Sequence, residues 1–586
     1  MGFEYALVHL KYTIPPAIAL TYIYRPLFTR LDGYRISFLI TIAVVSTIPW
    51  DSYLIRRKIW TYPPSVIIGP RLFSIPAEEL FFFVIQTYNT SLIYLFLSKP
   101  LLHSKYLVAR NTTGLWHRAG QAILAACAVI GGFQIRRGGE GTYLGLIVAW
   151  AAPFLLFLWS ISSQFLVKLP YSSTVVPIAI PTLYLWIVDT LALKRGTWAI
   201  SSGTKVGVHL WDGLEIEEVI FFLATNTLIV FGLVAFDHAV AILLTFPDLF
   251  PKVPELPSPV MLMQAIFTDP VKYDGERIKG LSQAVARLQK KSRSFYLASS
   301  TFSGRLRIDL ILLYSFCRVA DDLVDNADTI SIAREWIRKL THYLDLAYAS
   351  KEARIISKEP SLNSYITSTF PTSTHSALRL LPTHILPYKP LYDLLEGFKT
   401  DLEFTSTISP IQTEHDLENY AAYVAGTVAE LILELVFVHT ASPTSTSTKQ
   451  KDHLIRSGAR MGIALQYINI ARDISVDAGL GRVYIPHSWL VAEGLITQDV
   501  LDKPELFEVA RLKNRLLAKA FGVYGECGPA MRGLPRDARA PMRVAVESYM
   551  EIGRVLKKRR YRVVQGRATV PVGRRVLVAW RALSEG

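Results

Sequence analysis

The sequence predicts an all-α protein in two parts, with a polytopic membrane helix bundle first and a second helical domain after it. Three observations support this prediction. Uncharged apolar runs crowd into the first 240 residues, five prolines interrupt residues 246–259, and the remaining sequence has helical rather than strand periodicity. At 586 residues the chain is also long enough for more than one domain.

Seven apolar runs in the first part are candidates for membrane spans. Crossing a bilayer takes about 20 apolar residues, or about 17 at the short end. The six stronger runs and a weaker seventh are residues 36–50, 80–98, 119–135, 141–167, 169–188, 219–236 and 12–24. We therefore predict six or seven transmembrane helices in a membrane domain over residues 1–245. A proline-rich linker over residues 246–270 and a second domain over residues 271–586 follow it.

The charge distribution indicates a membrane rather than a nucleic acid as the partner of the basic residues. The net charge is +15, but Arg and Lys flank the apolar runs, as at Arg56-Arg57 and Arg136-Arg137. Anionic lipid head groups and diphosphates account for this pattern, and no nucleic-acid partner is expected. The three cysteines lie far apart in the sequence and predict neither a disulfide framework nor a zinc site.

The first part contains an internal repeat. Each copy has an aspartate, a basic pair and a tryptophan at the same spacings, followed by two glutamates before a Phe-rich run: Asp51, Arg56-Arg57, Trp60 and Glu78-Glu79, then Asp189, Lys194-Arg195, Trp198 and Glu217-Glu218. A duplication predicts a pseudo-symmetric bundle. With an even number of spans between the copies, both acidic clusters lie on the same side of the membrane and can share one site.

Six acidic residues in these copies are candidate catalytic groups, because charged residues in or beside membrane spans are costly and are usually retained for function. They are Asp51, Glu78, Glu79, Asp189, Glu217 and Glu218. Such a set can supply a proton donor and a proton acceptor, which proton-initiated cyclisation of an alkene requires without a redox cofactor. The alternative is that these acids pair with the basic residues of the repeat as charges at the membrane edge.

Two matched polar stripes lie in the second part. Each places its members on one helix face, at Tyr314, Arg318, Asp321 and Asp325, and at Gln466, Asn469, Asp473 and Asp477. Two carboxylates at i and i+4 repel each other unless a cation is bound between them. Because Mg²⁺ takes one or two carboxylates together with phosphate oxygens, the stripes predict a metal–diphosphate site. The neighbouring Arg318 and Arg472 would orient the diphosphate.

A lone DxxxD motif is more often a solvated helix face than a metal site. Here apolar residues interleave both stripes, and two matched stripes favour the metal interpretation.

The second part resembles the phytoene and squalene synthase family. Beside the two stripes, the resemblance covers KSRSFYLAS at residues 291–299, YAAYVAGTVAE at residues 420–430, GRVYIP at residues 481–486 and VESYMEIG around Tyr549. It implies an isoprenoid-synthase fold and a head-to-head condensation of two prenyl diphosphates through a cyclopropyl intermediate. Carried over to this sequence, it assigns Asp321, Asp325, Asp473 and Asp477 to Mg²⁺, with Mn²⁺ as an alternative. It assigns Lys291, Arg318 and Arg472 to phosphate, and Phe295, Tyr314, Gln466, Asn469 and Tyr549 to the rest of the substrate site.

The pattern PxEELFFFxxQT, duplicated and joined to such a synthase, is similar to the fungal bifunctional lycopene cyclase/phytoene synthases. Their cyclase half resembles the paired small subunits of certain bacterial and archaeal cyclases. The resemblance implies formation of phytoene from two geranylgeranyl diphosphates through prephytoene diphosphate. It also implies closure of lycopene ends to β-ionone rings, giving β-carotene through γ-carotene. Lycopene and related acyclic carotenes are then substrates, and no flavin or nicotinamide is expected.

The same resemblance implies a multi-pass integral membrane protein with its synthase domain in the cytosol, and an association with a phytoene desaturase. Two other functions remain open at this point. Residues 1–245 could be a non-catalytic anchor for a phytoene synthase, or the chain could be a squalene synthase, which would need a nicotinamide cofactor.

Overall fold

The computed structural model describes residues 2–109, 114–349, 361–405, 409–440, 447–558 and 570–585. Helices dominate these residues, and the strands among them are two or three residues long, so the all-α prediction is confirmed. The chain forms two compact units, the first ending at Ile278 and the second beginning at Lys279.

The first unit is a bundle of long helices. Its helices are α1 (Glu4–Val8), α2 (Ile14–Tyr24), α3 (Arg30–Arg56), α4 (Ala77–Ser98), α5 (Leu115–Arg137), α6 (Thr142–Lys168), α7 (Tyr171–Arg195), α8 (Ile216–Thr245) and α9 (Pro259–Ile266). A π-helical turn at His9–Thr13 joins α1 to α2 without a break. Its strands are β1 (Trp60–Thr61), β2 (Arg71–Leu72), β3 (Ile75–Pro76), β4 (Ala199–Ile200), β5 (His209–Trp211) and β6 (Leu214–Glu215).

Seven helical segments among the described residues are long and apolar enough to cross a membrane, judged by length and composition. Six of them are α3 to α8, which cover the six stronger predicted runs. The weaker predicted run, residues 12–24, forms the π turn and the 11-residue α2. The seventh segment, Glu414–Thr440, belongs to the second unit.

The two copies of the repeat fold alike and meet at one end of the bundle. In each copy a long helix is followed by a short hairpin, β2–β3 or β5–β6, which leads into the helix that carries the acidic pair. Strand β1 of the first copy pairs antiparallel with β4 of the second, with Trp60 opposite Ile200. This pairing brings the Trp60 and Trp198 rings to 6.3 Å from each other. The segments of the two copies that lead to the acidic pairs therefore contact each other.

The proline-rich segment ends α8 and remains packed on the first unit. Leu262 and Ala265 of α9, with Tyr273 and Ile278 beyond it, join the same apolar core as Phe246. The compact unit thus extends beyond the predicted membrane domain, and the domain limits at residues 245 and 271 stay a prediction.

The second unit is a helical array around an apolar cavity. Its helices are α10 (Gly275–Lys291, which begins before the division), α11 (Arg293–Ser299), α12 (Gly304–Asp325), α13 (Ile330–Tyr348), α14 (Leu362–Thr369), α15 (His375–Arg379), α16 (Lys389–Asp401), α17 (Glu414–Ala421), α18 (Thr427–Thr440), α19 (Thr448–Gly479), α20 (His487–Ala492), α21 (Thr497–Asp502), α22 (Phe507–Cys527), α23 (Arg536–Lys558) and α24 (Val572–Ser584). Helices α12 and α19 carry the two predicted stripes.

A second π turn, Ala422–Gly426, joins α17 to α18 where the chain crosses α19. Gly462 of α19 permits this close crossing, because a Cβ there would lie 2.5 Å from the Ala425 carbonyl oxygen.

Candidate active sites

The six acidic residues of the first unit are all buried. Their exposed fractions are 4% for Asp51, 4% for Glu78, 7% for Glu79, 1% for Asp189, 0% for Glu217 and 0% for Glu218. The glutamates lie in the first turns of α4 and α8, where the helix dipole favours an acidic group. Buried acids need hydrogen-bond partners, so the partner of each one indicates its role.

Glu78 and Glu217 hold the loops that precede their helices. The backbone N–H of Ile68 donates to Glu78 Oε1 over 2.7 Å, and that of Val206 donates to Glu217 Oε1 over 2.6 Å. The two copies therefore use the first glutamate of each pair in the same way.

Glu79 and Glu218 accept hydrogen bonds from tyrosine hydroxyl groups. Tyr5 and Tyr62 both donate to Glu79 Oε2, Tyr62 over 2.5 Å, and Tyr143 donates to Glu218 Oε1 over 2.7 Å. Tyr143 follows Tyr5 by 138 positions, the separation of Asp189 from Asp51. These tyrosines lie outside the predicted motif, although the repeat extended upstream at this separation includes the pair at positions 5 and 143.

The aspartates lie beside the paired tryptophans. The indole N–H of Trp198 donates to Asp189 Oδ1 over 3.2 Å. In the other copy, Asp51 Oδ2 and Trp60 Nε1 have no partner among the described residues. The aspartates of the two copies thus lie in similar positions but differ in their hydrogen bonds.

One aromatic cavity receives side chains from both copies. It is lined by Glu79 of the first copy and Asp189 of the second, together with Tyr5, Val8, Thr13, Trp60, Phe82, Leu185, Val188, Trp198, Phe221 and Phe222. The predicted shared site therefore has two acidic groups in an apolar, electron-rich surrounding, where aromatic faces can stabilise a cation.

The basic residues of the repeat do not neutralise these acids. Lys194 pairs with Asp212 over 2.7 Å, and the Arg57 guanidinium lies over the Tyr53 ring. No ion pair within the described ranges joins any of the six acids to a basic residue of the repeat, so the pairing alternative is not what the structure contains.

A second buried charge cluster lies toward the other end of α3 and α8. Arg35 Nη2 lies 2.9 Å from Asp237 Oδ1, and the Tyr94 hydroxyl donates to Asp237 Oδ2 over 2.7 Å. At 1.5 Å per residue, Arg35 is about 24 Å along α3 from Asp51. This cluster is therefore separate from the cavity.

The second unit has a larger apolar cavity of about 300 Å³. Its lining is mostly aliphatic and includes five predicted substrate residues: Phe295, Tyr314, Gln466, Asn469 and Tyr549. Tyr549 donates to Asn469 Oδ1 over 2.5 Å, Asn469 donates to Gln466 Oε1 over 3.0 Å, and Phe295 stacks on Tyr549 at 5.2 Å. These groups form a polar and aromatic chain on the cavity wall.

An arginine pairs with one carboxylate of each stripe. Arg318 donates to Asp321 over 2.7 Å and to Asp322 over 2.5 Å. Arg472 forms a bidentate pair with Asp473, at 2.8 and 2.6 Å. Lys291, the third predicted phosphate ligand, lies 3.3 Å from Asp322.

A further arginine and a further aspartate join this cluster. Arg482 lies 3.0 Å from Asp325, and the Tyr484 hydroxyl donates to Asp401 Oδ1 over 2.8 Å. Arg482, Asp401 and Tyr484 are not among the predicted site residues. Arg482 and Tyr484 lie in the quoted GRVYIP segment, whereas Asp401 ends α16 outside any stripe or motif.

Burial and mutual repulsion favour the protonated form of several of these carboxyls. Burial, with Asp325 nearby, raises the pKa of Asp321 to about 7. Burial, with Asp473 nearby, raises the pKa of Asp477 to about 7. Burial also raises the pKa of Asp401 to about 6, against the opposing effect of Arg482. The cluster thus has more negative charge than its arginines stabilise, which suits a bound cation.

The donor set fits a divalent ion shared with a diphosphate. Among the residues that the structure describes, no three acidic, His or Cys side chains converge as a complete metal site. Mg²⁺ is typically bound by one or two carboxylates, with phosphate oxygens and waters as its other ligands. Two separate aspartate pairs can therefore bind the ion when the substrate diphosphate supplies further oxygen ligands.

Comparisons with known proteins match both units. The squalene/phytoene synthase family profile matches residues 288–574. Over the full length of both chains, the protein is 56% identical to the bifunctional lycopene cyclase/phytoene synthase of Phaeosphaeria nodorum and 57% identical to that of Leptosphaeria maculans. The chain belongs to the bifunctional lycopene cyclase/phytoene synthase family. A solved dehydrosqualene synthase matches with 24% identity and a TM-score of 0.42, covering 52% of this chain and 96% of that one.

Every predicted site residue of the second unit, from Lys291 to Tyr549, lies within the squalene/phytoene synthase match. The six acids of the first unit lie outside that match and inside the full-length alignments to bifunctional lycopene cyclase/phytoene synthases.

Proposed function

We propose that this chain catalyses two reactions of carotenoid synthesis, one in each unit. The second unit joins two geranylgeranyl diphosphates to phytoene, and the first closes the ends of lycopene to β-ionone rings. The observation that carries the proposal is that each unit has its own apolar cavity, and that the acidic groups associated with the two cavities differ. Helices α12 and α19, which line the cavity of the second unit, also carry carboxylates paired with arginines, whereas the cavity of the first unit is lined by buried carboxyls without basic partners.

Beside the synthase cavity, Arg318, Arg472 and Lys291 bind diphosphate oxygens, because guanidinium and ammonium groups donate strong hydrogen bonds to phosphate. Asp321, Asp325, Asp473 and Asp477 would hold Mg²⁺, with Mn²⁺ as an alternative, and the bound ion would neutralise the departing diphosphate.

Beyond these charged groups, Phe295, Tyr314 and Tyr549 line the way into the aliphatic cavity, with Gln466 and Asn469 beside them. The cavity holds the isoprenoid chains and excludes water from the carbocations of the reaction. One carbocation forms when diphosphate leaves a prenyl diphosphate, and another forms when diphosphate leaves the cyclopropyl intermediate, prephytoene diphosphate.

Mg²⁺ binding is expected to tighten as pH rises toward 7 and then to level off. Asp321 and Asp477 have pKa values of about 7, so below that pH protons compete with the ion, and above it the carboxylates are free to bind. Below pH 7, the affinity for Mg²⁺ should rise by up to about tenfold per pH unit for each carboxyl that must lose its proton. Calorimetry with Mg²⁺ and an unreactive diphosphate should show proton release below pH 7. An affinity that does not change between pH 5.5 and 7.5 would contradict the assignment.

In the cyclase cavity, the acidic residues of the repeat carry out proton transfer. One carboxyl protonates a terminal alkene of lycopene, aromatic faces stabilise the cation, and another carboxyl removes a ring proton. No electrons are gained or lost, so the reaction requires neither flavin nor nicotinamide. Asp51, Asp189, Glu79 and Glu218 are the candidate groups for this chemistry, and Asp189 and Glu79 are the two that line the cavity, while Glu78 and Glu217 hold the loops around it.

The six long helices of the first unit span a bilayer, which suits carotene substrates that dissolve in lipid. The synthase unit lies on the cytosolic side, and a phytoene desaturase works beside the chain, since it must convert the product of one unit into the substrate of the other.

Expression in cells that supply geranylgeranyl diphosphate tests the two activities separately. The chain alone should yield phytoene, and with a desaturase it should yield γ-carotene and β-carotene. Lycopene without rings would favour a non-catalytic first unit. Squalene, formed from farnesyl diphosphate with a nicotinamide cofactor, would favour the squalene synthase alternative.

A fragment that begins at residue 265 is expected to retain phytoene formation. It keeps the whole of α10 and every residue of the synthase cavity, all of which lie at or beyond Leu288. Phytoene yield from the fragment and the full chain, compared at equal protein amounts, measures this. A folded but inactive fragment would show that the synthase site depends on the first unit.

A further inference from the structure

We propose that the two carboxyls on the cyclase cavity have opposite roles: Asp189 gives the proton that starts ring closure, and Glu79 takes the proton that ends it. Tyr5 and Tyr62 are positioning residues for Glu79. This inference rests on the cyclase function proposed above and divides its acid–base chemistry between named groups.

The surroundings of Glu79 are those of an ionised acceptor. Two phenol hydroxyls, from Tyr5 and Tyr62, donate to the same oxygen, Oε2. A carboxylate can accept both hydrogen bonds, and hydrogen bonds to a charged acceptor are about twice as strong as neutral ones. Both donors are themselves buried, with Tyr5 3% and Tyr62 8% exposed. Glu79 is thereby fixed in position and ready to receive a proton.

The surroundings of Asp189 are those of a neutral acid. Its side chain is nearly inaccessible to solvent, and only Oδ1 accepts a hydrogen bond, from the indole of Trp198. Oδ2 has no partner among the described residues. An unpaired buried carboxylate would be very costly, so this oxygen carries the proton. Because Asp189 lines the cavity, that proton is available to an alkene bound there.

The other copy does not reproduce this pair. Asp51 and Glu218 are absent from the cavity lining, and Glu218 has one phenol donor, Tyr143, where Glu79 has two. The position that corresponds to Tyr62 is Ile200, which pairs with Trp60 across the β1–β4 pair. The duplicated bundle therefore contains a single acid–base pair, with one member from each copy.

The proposed step balances without a co-reactant. The O–H bond of Asp189 breaks as its proton adds to the terminal alkene, and the π electrons of a second alkene form the new ring C–C bond. A ring C–H bond then breaks, its electrons become the ring double bond, and the proton passes to the Glu79 carboxylate. Return of this proton to Asp189 within the shared cavity restores both groups, and the net change is an isomerisation.

The full-length chain in membranes, supplied with lycopene, tests the division of roles. Asp189→Asn removes the proton donor, so ring formation should fall by about 10²-fold or more with only unreacted lycopene remaining. Glu79→Gln should lower ring formation similarly, but the cation still forms. Some product should therefore carry a hydroxylated ring or a ring double bond at another position. The amount of each variant in the membrane fraction and its Tm in detergent report that the first unit is inserted and folded, and phytoene output reports that the second unit is intact.

The tyrosines provide a matched control, since Tyr→Phe keeps the ring and removes only the hydroxyl. Tyr62→Phe and Tyr5→Phe should lower kcat several-fold with little change in KM, and should raise the fraction of diverted rings. Tyr143→Phe, the same contact in the other copy, should produce no diverted rings.

Cyclisation by Asp189→Asn, or identical product patterns from Asp189→Asn and Glu79→Gln, would overturn the proposal. Diverted rings from Tyr143→Phe as abundant as those from Tyr5→Phe would overturn the single-pair assignment. A wild-type chain that forms no rings at all would instead refute the cyclase function itself.

Discussion

Replacement of Asp473 by Asn is expected to abolish phytoene formation while leaving cyclisation of supplied lycopene intact. The substitution keeps the shape of the side chain and removes a charge from the carboxylate cluster, leaving the bidentate partner Arg472 without its counter-charge. Loss of a group that stabilises a leaving anion typically costs about 10²-fold to 10³-fold in rate. Asp321→Asn, on the facing stripe, should have the same effect. Phytoene and ring-bearing carotenes, measured separately in the same membranes, report the two activities.

The appropriate control is Asp393→Asn in the same unit. Asp393 pairs with Lys389, whose side chain is 74% exposed, and neither residue lines the synthase cavity. Exposed pairs contribute little to stability, so this variant should form phytoene normally. Wild-type phytoene output from Asp473→Asn at limiting Mg²⁺ would show that Asp473 binds no metal.

Replacement of Arg35 by Leu is expected to destabilise the first unit by about 3–5 kcal/mol, which is the usual cost of leaving one member of a buried ion pair without its partner. The side chains of Arg35 and Asp237 are 8% and 2% exposed. Thermal unfolding in detergent, followed by tryptophan fluorescence or by loss of cyclase activity, should show a large fall in Tm.

Two further variants isolate this effect. The double variant Arg35→Leu, Asp237→Leu removes both charges and should recover much of the lost stability. Arg30→Leu breaks the exposed pair with Glu255, in which Arg30 is 78% exposed, and should change Tm little. Equal Tm values for Arg35→Leu and Arg30→Leu would show that the buried pair is not a stabilising contact.

The hydropathy pattern predicted the positions of the long helices, but the apolar run predicted for α3 was shorter than the helix itself. The predicted run 36–50 became α3, Arg30–Arg56, because the capped residue Asp32 and the paired Arg35 are buried inside the bundle. A hydropathy pattern treats both as solvent-exposed ends. Thr29, the cap partner of Asp32, is only three residues away in the sequence, whereas Asp237, the partner of Arg35, becomes apparent only when α3 packs on α8.

The spacing of residues within single helices was sufficient to predict some residues of each site and insufficient to predict the others. The stripes on α12 and α19, and the acidic pairs of the repeat, follow from spacing within a single helix. Asp401 has no such spacing, and Tyr62 meets Glu79 only through the fold of the loop between α3 and α4. The π turn at His9–Thr13 between Tyr5 and the apolar α2 also has no signature in the sequence. Contacts of this kind are set by tertiary packing.

The single acid–base pair proposed above, which reflects the difference between Tyr62 and Ile200, has a kinetic consequence for a substrate whose two ends are identical. A symmetric site could hold both ends of the polyene in equivalent surroundings, whereas a single proton-transfer pair serves one end per encounter. The half-finished molecule must then leave the bundle, or turn end for end, before its second ring can close. Cyclisation by such a site is distributive, with the one-ringed intermediate released between the two ring closures. The ratio of one-ringed to two-ringed pigment then depends on the rate at which the intermediate escapes into the surrounding lipid. It also depends on the concentration of fresh polyene that competes with the intermediate for the site.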